Sequence, residues 1–335
     1  MLLYNIVFYA YETCQLSTRA ETRVRKAILC PYLFFFLHLK LYICIAARLF
    51  RTPTRQMKRL LTFIITIVWA AVAHAQNGQM AAMRGTVADS YNFWLYAPRE
   101  YTAEHRRIPV IIFLHGASLC GNNMQRVRRY GLLHAIEKGR YYPAMVVAPQ
   151  NPGGAWSPKK IARILDWVQQ NYDTDTTRVY VIGMSLGGYG TLDFAGTYPD
   201  RVAAAMALCG GSTLRDFSGL GQIPLWILHG TADRAVPVSQ SKNVVKAIKD
   251  SGNDRLLRYD WLKGSSHGDL ARILYLKQTY DWLFFHTSVD NPREVERDIE
   301  ITKEDMRNAY SDLTPEETRF DIVDEVKRMK NENKE

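Results

Sequence analysis

The chain has 335 residues, 47% hydrophobic and 23% charged, with 43 Lys and Arg against 33 Asp and Glu. That composition excludes collagen-like, low-complexity and disordered chains, and five cysteines are too few for a disulfide scaffold. The formal net charge of +10 is a local excess, since residues 1–75 hold ten Lys/Arg and two Asp/Glu and the remaining 260 residues carry 33 and 31, a net +2, which removes the case for a nucleic-acid partner.

Residues 57–76 read "MKRLLTFIITIVWAAVAHAQ". Lys58 and Arg59 form a basic start, Leu60–Ala73 an apolar stretch, and Ala73-His74-Ala75 an A-x-A site. This is the three-part layout of a secretory signal peptide over 57–75, with cleavage expected near Ala75 and a secreted or periplasmic product. Residues 1–56 are then an upstream extension. The rival expectation is a membrane anchor within residues 27–50, but Pro31, His38 and Lys40 interrupt it, and a spanning helix needs roughly 20 apolar residues. Of the five cysteines only Cys120 and Cys209 follow the leader; they lack metal-ligand spacing and are expected as two buried thiols.

After the leader, strand and helix patterns alternate. Strands are expected at 91–96, 109–114, 144–148, 178–183, 203–208, 224–228 and 256–262, and helices at 124–138, 158–171, 187–197, 239–250 and 269–285. Continuous apolar strands between amphipathic helices predict an α/β fold, a mainly parallel sheet with helices on both faces, over residues 76–289. Residues 290–335 are highly charged with sparse apolar positions, which predicts a solvated C-terminal extension; Thr314 and Pro315 could start a helix carrying Phe320, Ile322, Val323 and Val326.

In such sheets ligands gather at the carboxyl ends of the strands. Four strand ends here carry useful chemistry: "HGASLCGNN" from His115, "GMSLGG" from Gly183, "HGTAD" from His229 and "KGSSHGD" from Lys263. Gly183-Met184-Ser185-Leu186-Gly187 fits G-x-S-x-G, in which a sharp strand-to-helix turn presents a nucleophilic serine. A serine attacks a carbonyl only if a base takes its proton, and that base must be oriented by an acceptor. His267 and Asp233 are the natural base and acid. Asp216 and Asp260 are weaker rivals, one in an unpatterned loop and one inside a strand. His115 and His229 are expected to orient loops, and His134 to lie at a surface or packed interface.

With these segments together, residues 86–286 resemble the α/β-hydrolase superfamily, in particular its secreted esterases and prolyl-oligopeptidase-like catalytic domains. The resemblance is carried by "FLHGAS", "GMSLGG", "LHGTADRAVP" and "SHGD". It implies a serine hydrolase with Ser185 as nucleophile, Asp233 as acid and His267 as base. It also implies an oxyanion hole of the Leu186 and Ala117 backbone N–H groups. This chain departs from many related esterases after His115-Gly116, where it has Ala117-Ser118-Leu119 in place of a second glycine and an acidic residue. Trp156, Met184 and Ser118 are candidate substrate contacts, and Tyr189 a weaker one. No metal or organic cofactor is implied. The partner is a small-molecule or polysaccharide ester, such as an acetyl or feruloyl ester. The alternatives are a serine peptidase of prolyl-oligopeptidase type, a lipase or polyester depolymerase, and a non-catalytic binding protein on the same scaffold.

Overall fold

The structure, a computed structural model, describes residues 78–98, 101, 107–311 and 313. The upstream extension, the leader, the alternative anchor and the stretch from Thr314 onward all lie outside the described residues.

One sheet of eight strands organises the domain, in the order β1-β2-β4-β3-β5-β6-β7-β8. The strands are β1 (Gln79–Met83), β2 (Phe93–Ala97), β3 (Ile108–Leu114), β4 (Met145–Pro149), β5 (Thr174–Met184), β6 (Ala204–Leu208), β7 (Leu225–Gly230) and β8 (Leu257–Leu262). The run from β4 through β8 is parallel, while β1 and β2 pair antiparallel at one edge. The expected mainly parallel sheet is therefore present. β1 carries no apolar alternation and is largely exposed, so only its pairing with β2, Gln79 opposite Ala97 and Met83 opposite Phe93, makes it a strand.

Successive side chains of a strand point to opposite faces, and this splits the core in two. Ile111 and Phe113 of β3 join Tyr180 and Ile182 of β5 on one face. Val110, Ile112 and Leu114 join Val179 and Val181 on the other. The first face is covered by α1 (Leu132–Glu137) and the later α6 (Lys277–Phe285), through Leu132, Leu133, Trp282 and Leu283. The second is covered by α2 (Pro158–Asn171), α3 (Leu186–Thr197) and α4 (Ser239–Asp250). In α2 the pattern Ile161, Ile164, Leu165, Val168 places one stripe on the sheet, with Ser157 capping the start by accepting from Lys160 N–H.

Two expected helices are shorter than their patterns. The 124–138 segment is a 3₁₀ turn (Met124–Arg128) and then α1, because Gly131 has φ +85° and a Cβ there would stand 2.3 Å from Phe113. The 269–285 segment is α5 (His267–Leu270), a 3₁₀ turn (Ala271–Tyr275) and α6. Ile273, Leu274, Tyr275 and Leu276 are all buried. The 3₁₀ turn thus carries its residues into the first core cluster between the two short helices.

The charged C-terminal extension is not a solvated tail over its described part. Ile301, Met306 and Ala309 are buried against the first face, the last turn of this segment forming α7 (Lys303–Arg307). Arg293 donates to the carbonyls of Val202, Ala203 and Gln222, and Trp282 Nε1–H donates to Glu296 O. A few apolar anchors and these bonds to strand ends outweigh the solvation of the charges between them, and the packed unit runs past residue 289. Among the described residues no helix is long and apolar enough to cross a membrane.

Candidate active site

The turn between β5 and α3 places Ser185 in an unusual backbone conformation, φ +58° and ψ −121°. A residue with a Cβ adopts positive φ at a cost of order 1–3 kcal/mol, and such strain persists only where the surroundings enforce it. They do so here: Ser185 N–H donates to Leu208 O at 2.9 Å, and the Ser185 carbonyl accepts Tyr189 N–H at 3.1 Å. The glycines around it answer to sterics. A Cβ on Gly187 would stand 1.8 Å from the Leu114 carbonyl oxygen, and one on Gly183 2.3 Å from Gly187 O. The Ser185 side chain makes no capping bond to α3.

Asp233 follows β7 and has no exposed side-chain surface. Its Oδ1 accepts the N–H groups of Ala235 and Val236, both at 2.9 Å, and its Oδ2 accepts from His267 Nδ1 at 2.7 Å. Burial pushes this carboxyl upward, but the bonds from Val236, His267 and Ala235 together outweigh it and leave it below its ordinary value, a carboxylate at neutral pH. A carboxylate only accepts, so it is Nδ1 that carries a proton toward Asp233. His267 is fixed at the start of α5 by the Ser266/Asp269 capping box and remains 26% exposed.

Cys209, at the end of β6, lies between these parts. Its Sγ, an Asp233 oxygen and a His267 nitrogen are within 4.8 Å of one another, and the Ser185 N–H faces the thiol. Cys209 has φ +40° and is fully buried, and burial pushes its thiol far above the usual range, so it stays protonated and inert. These three groups are donors of the type that bind zinc, but a metal there would have to break the His267–Asp233 bond. Both Cys120 and Cys209 are free; Cys209 is buried as expected, whereas Cys120 at the mouth of the loop after β3 is only half-buried.

The loop after β3 supplies the opposite wall. Leu186 opens α3 and Ala117 opens a 3₁₀ turn (Ala117–Leu119), positions whose N–H groups have no partner within their own helix. Gly116 N–H donates to the Tyr130 hydroxyl at 3.2 Å, with Ser118 Oγ 3.4 Å from the same oxygen. Tyr130 Oη and Ser185 Cβ both lie against one face of Gly116, 2.8 and 3.4 Å from where a Cβ would be. Ser118 is exposed, and its carbonyl accepts from Arg126.

Trp156 and Met184 are each only 4% exposed. Met184 packs in the first core cluster, and Trp156 stacks edge-on against His115 and Tyr91 while its Nε1–H donates to His115 O. Tyr189 reaches Gln240. His115 is buried and accepts Asn151 N–H at Nε2; burial, aided by Arg126, holds it down at about 4, so it is neutral. His134 bonds the Tyr275 hydroxyl at the edge of α1. The rival acids are committed elsewhere. Asp216 is exposed and accepts from Ser218, and Asp260 accepts from Trp226 Nε1 and Arg258 Nε. A cleft of about 550 Å³ beside β8, lined by Arg258, Asp260, Arg297 and Glu300 among others, includes none of Ser185, Asp233 or His267.

Comparison with known proteins bears on the fold. Residues 154–257, which carry Ser185 and Asp233, match the model of the Esterase family. The solved structure of a thermostable esterase superposes with a TM-score of 0.51 at 23% identity, covering 63% of each chain. The chain has the α/β-hydrolase fold. Among curated proteins, acetylxylan esterase A of Aspergillus awamori is 23% identical over 191 residues, 50% of this chain and 60% of that one. The acetylxylan esterase A of Emericella nidulans is 23% identical over 223 residues, 62% of this chain and 72% of that one. The chain thus spans less than two thirds of the length of the first of these relatives.

Tyr130 and Cys209 are the neighbours of Ser185 that sequence reasoning did not place there. Cys209 carried a faint signal, since it closes a strand next to the one bearing Ser185. Tyr130 carried none: it sits fourteen residues beyond Gly116, and only the path of the intervening loop returns its hydroxyl to the Gly116 N–H.

Proposed function

We propose that the protein is a serine hydrolase that cleaves carboxylic esters, with Ser185 as nucleophile, His267 as base and Asp233 as its orienting acid. The observation that carries this reading is the 2.7 Å His267–Asp233 bond at the same sheet end as a serine held at φ +58°. His267 Nε2 takes the Ser185 hydroxyl proton as Oγ attacks the ester carbonyl carbon. The tetrahedral oxyanion is met by the N–H groups of Leu186 and Ala117, each such donor contributing on the order of 10²–10³ in rate. The imidazolium then protonates the departing alkoxide, leaving an acyl-enzyme. Water, deprotonated by the same ring, attacks it and frees the acid.

Acyl groups on polysaccharides, acetyl or feruloyl esters, are the proposed substrates, supported by the relatives named as acetylxylan esterases. The layout of residues 57–75 supports export, to the periplasm or outside the cell. This chemistry needs no cofactor, and the near-neutral charge after residue 75 favours an uncharged small-molecule or polysaccharide partner over a nucleic acid.

The test is hydrolysis of p-nitrophenyl acetate, butyrate and octanoate and of methyl ferulate by the purified protein and by Ser185→Ala. Turnover of short or feruloyl esters, reduced at least about 10³-fold in the variant, is the expected result. Preference for octanoate would move the reading to a lipase or polyester depolymerase. Folded protein inactive on every ester would sink it and bring a peptidase or a binding role forward.

A further inference from the structure

His229 ends β7 four residues before Asp233 and has no exposed surface. Its Nε2 lies 3.0 Å from the Val236 carbonyl and 3.4 Å from Asp233 Oδ2. Both of those groups accept only, so Nε2 carries a proton, bonded to Val236 O with Asp233 Oδ2 close beside it. Burial, only partly offset by Val236 and Asp233, holds the ring below its ordinary proton affinity and so neutral. Nδ1 is then a bare acceptor, and Ser241 Oγ stands 2.7 Å from it. The Ser241 hydroxyl is also 2.6 Å from the Gly210 carbonyl, so one proton is divided between two acceptors. The ring is therefore tied on one side to α4 and the end of β6, and on the other to the loop bearing Asp233. The ionisable groups around it are Asp233 on that loop, His267 at the start of α5, and Cys209 at the end of β6 beside Asp233.

We propose that His229 is a positioning residue for the proposed catalytic acid: its Nε2–H, anchored on Val236 O, holds Asp233 Oδ2 from behind while His267 bonds it in front. This rests on the roles proposed above for Asp233 and His267. The physical case is one of rigidity. The Asp233 loop leaves the sheet after Gly230, and its backbone amides fix Oδ1 only. The buried imidazole belongs to the strand itself, so it refers Oδ2 to the rigid sheet rather than to the loop. It also shares the carboxylate's charge, which tempers the pull of Asp233 on the His267 proton.

Two substitutions separate this role from simple packing. His229→Leu fills the space without an N–H, whereas the His229→Gln amide nitrogen reaches the place of Nε2. Rates on p-nitrophenyl acetate would be taken from pH 5 to 9, and the downfield proton resonance of His267 Nδ1–H recorded on the full chain. The expected result for His229→Leu is a kcat lower by on the order of 10- to 100-fold with KM within about threefold. Its acid limb should shift to higher pH and its downfield resonance should move. His229→Gln should recover most of each. If His229→Leu does not fold, Ser241→Ala frees one side of the ring and should produce a smaller change in the same direction. An unmoved resonance and acid limb in the variants, or equal loss in Leu and Gln, would overturn the proposal. If no ester is turned over but the resonance responds as described, the esterase reading fails and the positioning role stands.

Discussion

Ser185 is usable because of what its neighbours do not offer it. The side chain makes no capping bond to α3, and its backbone is bonded on both sides, to Leu208 and Tyr189. In the proposed triad the two other members differ in exposure: the His267 side chain stays partly exposed, while that of Asp233 is sealed. Tyr130 braces the opposite wall, its hydroxyl occupied by Gly116 N–H. In Tyr130→Phe that amide loses its partner and the loop carrying Ala117 loosens. The expected outcome is a kcat for p-nitrophenyl acetate reduced by roughly tenfold, for a loss of about 1–2 kcal/mol from an unmade hydrogen bond, with thermal stability lowered by no more than the same amount. Unchanged kcat would show that the loop is held without this bond.

At the scale of the elements, the elbow works because three strands' ends and one helix meet with almost no room. Gly187 touches the end of β3, and a Cβ on Gly188 would stand 2.6 Å from the Leu208 carbonyl at the end of β6. Neither contact is with a flexible side chain, so neither neighbour can yield without moving a strand. Gly187→Ala should therefore destabilise the domain by about 3 kcal/mol or more, read as a lower urea midpoint or loss of soluble protein, despite being a gain of only one methyl group. Helix α3 is nearly encased as a consequence. Even its Asp193 is buried, its carboxylate accepting from Ser212 Oγ and from Thr213 N–H and Oγ1–H. That bonding ties the residues after β6 to the helix that carries the serine.

Across the whole molecule, buried histidines couple stability to pH. Burial, the largest cause in each, holds His115 down at about 4 and His286 down at about 3. Both lie below the value of an unfolded histidine, so between roughly pH 6.5 and 4 the unfolded chain binds protons that the folded one does not. Stability from these groups is complete above about pH 6.5 and is lost as pH falls, by up to about 1.4 kcal/mol per pH unit for each ring. Urea unfolding at pH 7, 6, 5 and 4.5 should show a midpoint falling steadily over this range, and His115→Gln should make the slope shallower without abolishing it, since buried His229 and His286 still contribute. A flat profile would mean that neither ring is buried in its neutral form. The packed start of the C-terminal segment belongs to the same scale: His286 accepts Glu296 N–H, so the segment is joined to one of the rings that set this dependence.

Much of this was legible in the sequence because it is written in short range. A run such as Val179–Ile182, a glycine-flanked serine and an H-G-x-x-D segment are local patterns whose physics needs no partner to interpret, so the parallel strands and the elbow could be named in advance, and Ser185, Asp233 and His267 singled out as candidates. The helix at 239–250 matches α4 residue for residue because its apolar spacing has one period throughout. What only the tertiary structure decided depends on contact between distant segments. β1 exists by pairing alone, the expected 269–285 helix is divided by a 3₁₀ turn whose residues pack into the core, and the charged segment after residue 289 packs through three apolar anchors. Tyr130 and His229 acquire their places beside Ser185 and Asp233 in the same way. Their hydrogen bonds reach partners on other loops and elements, and no local pattern encodes where a chain will meet itself.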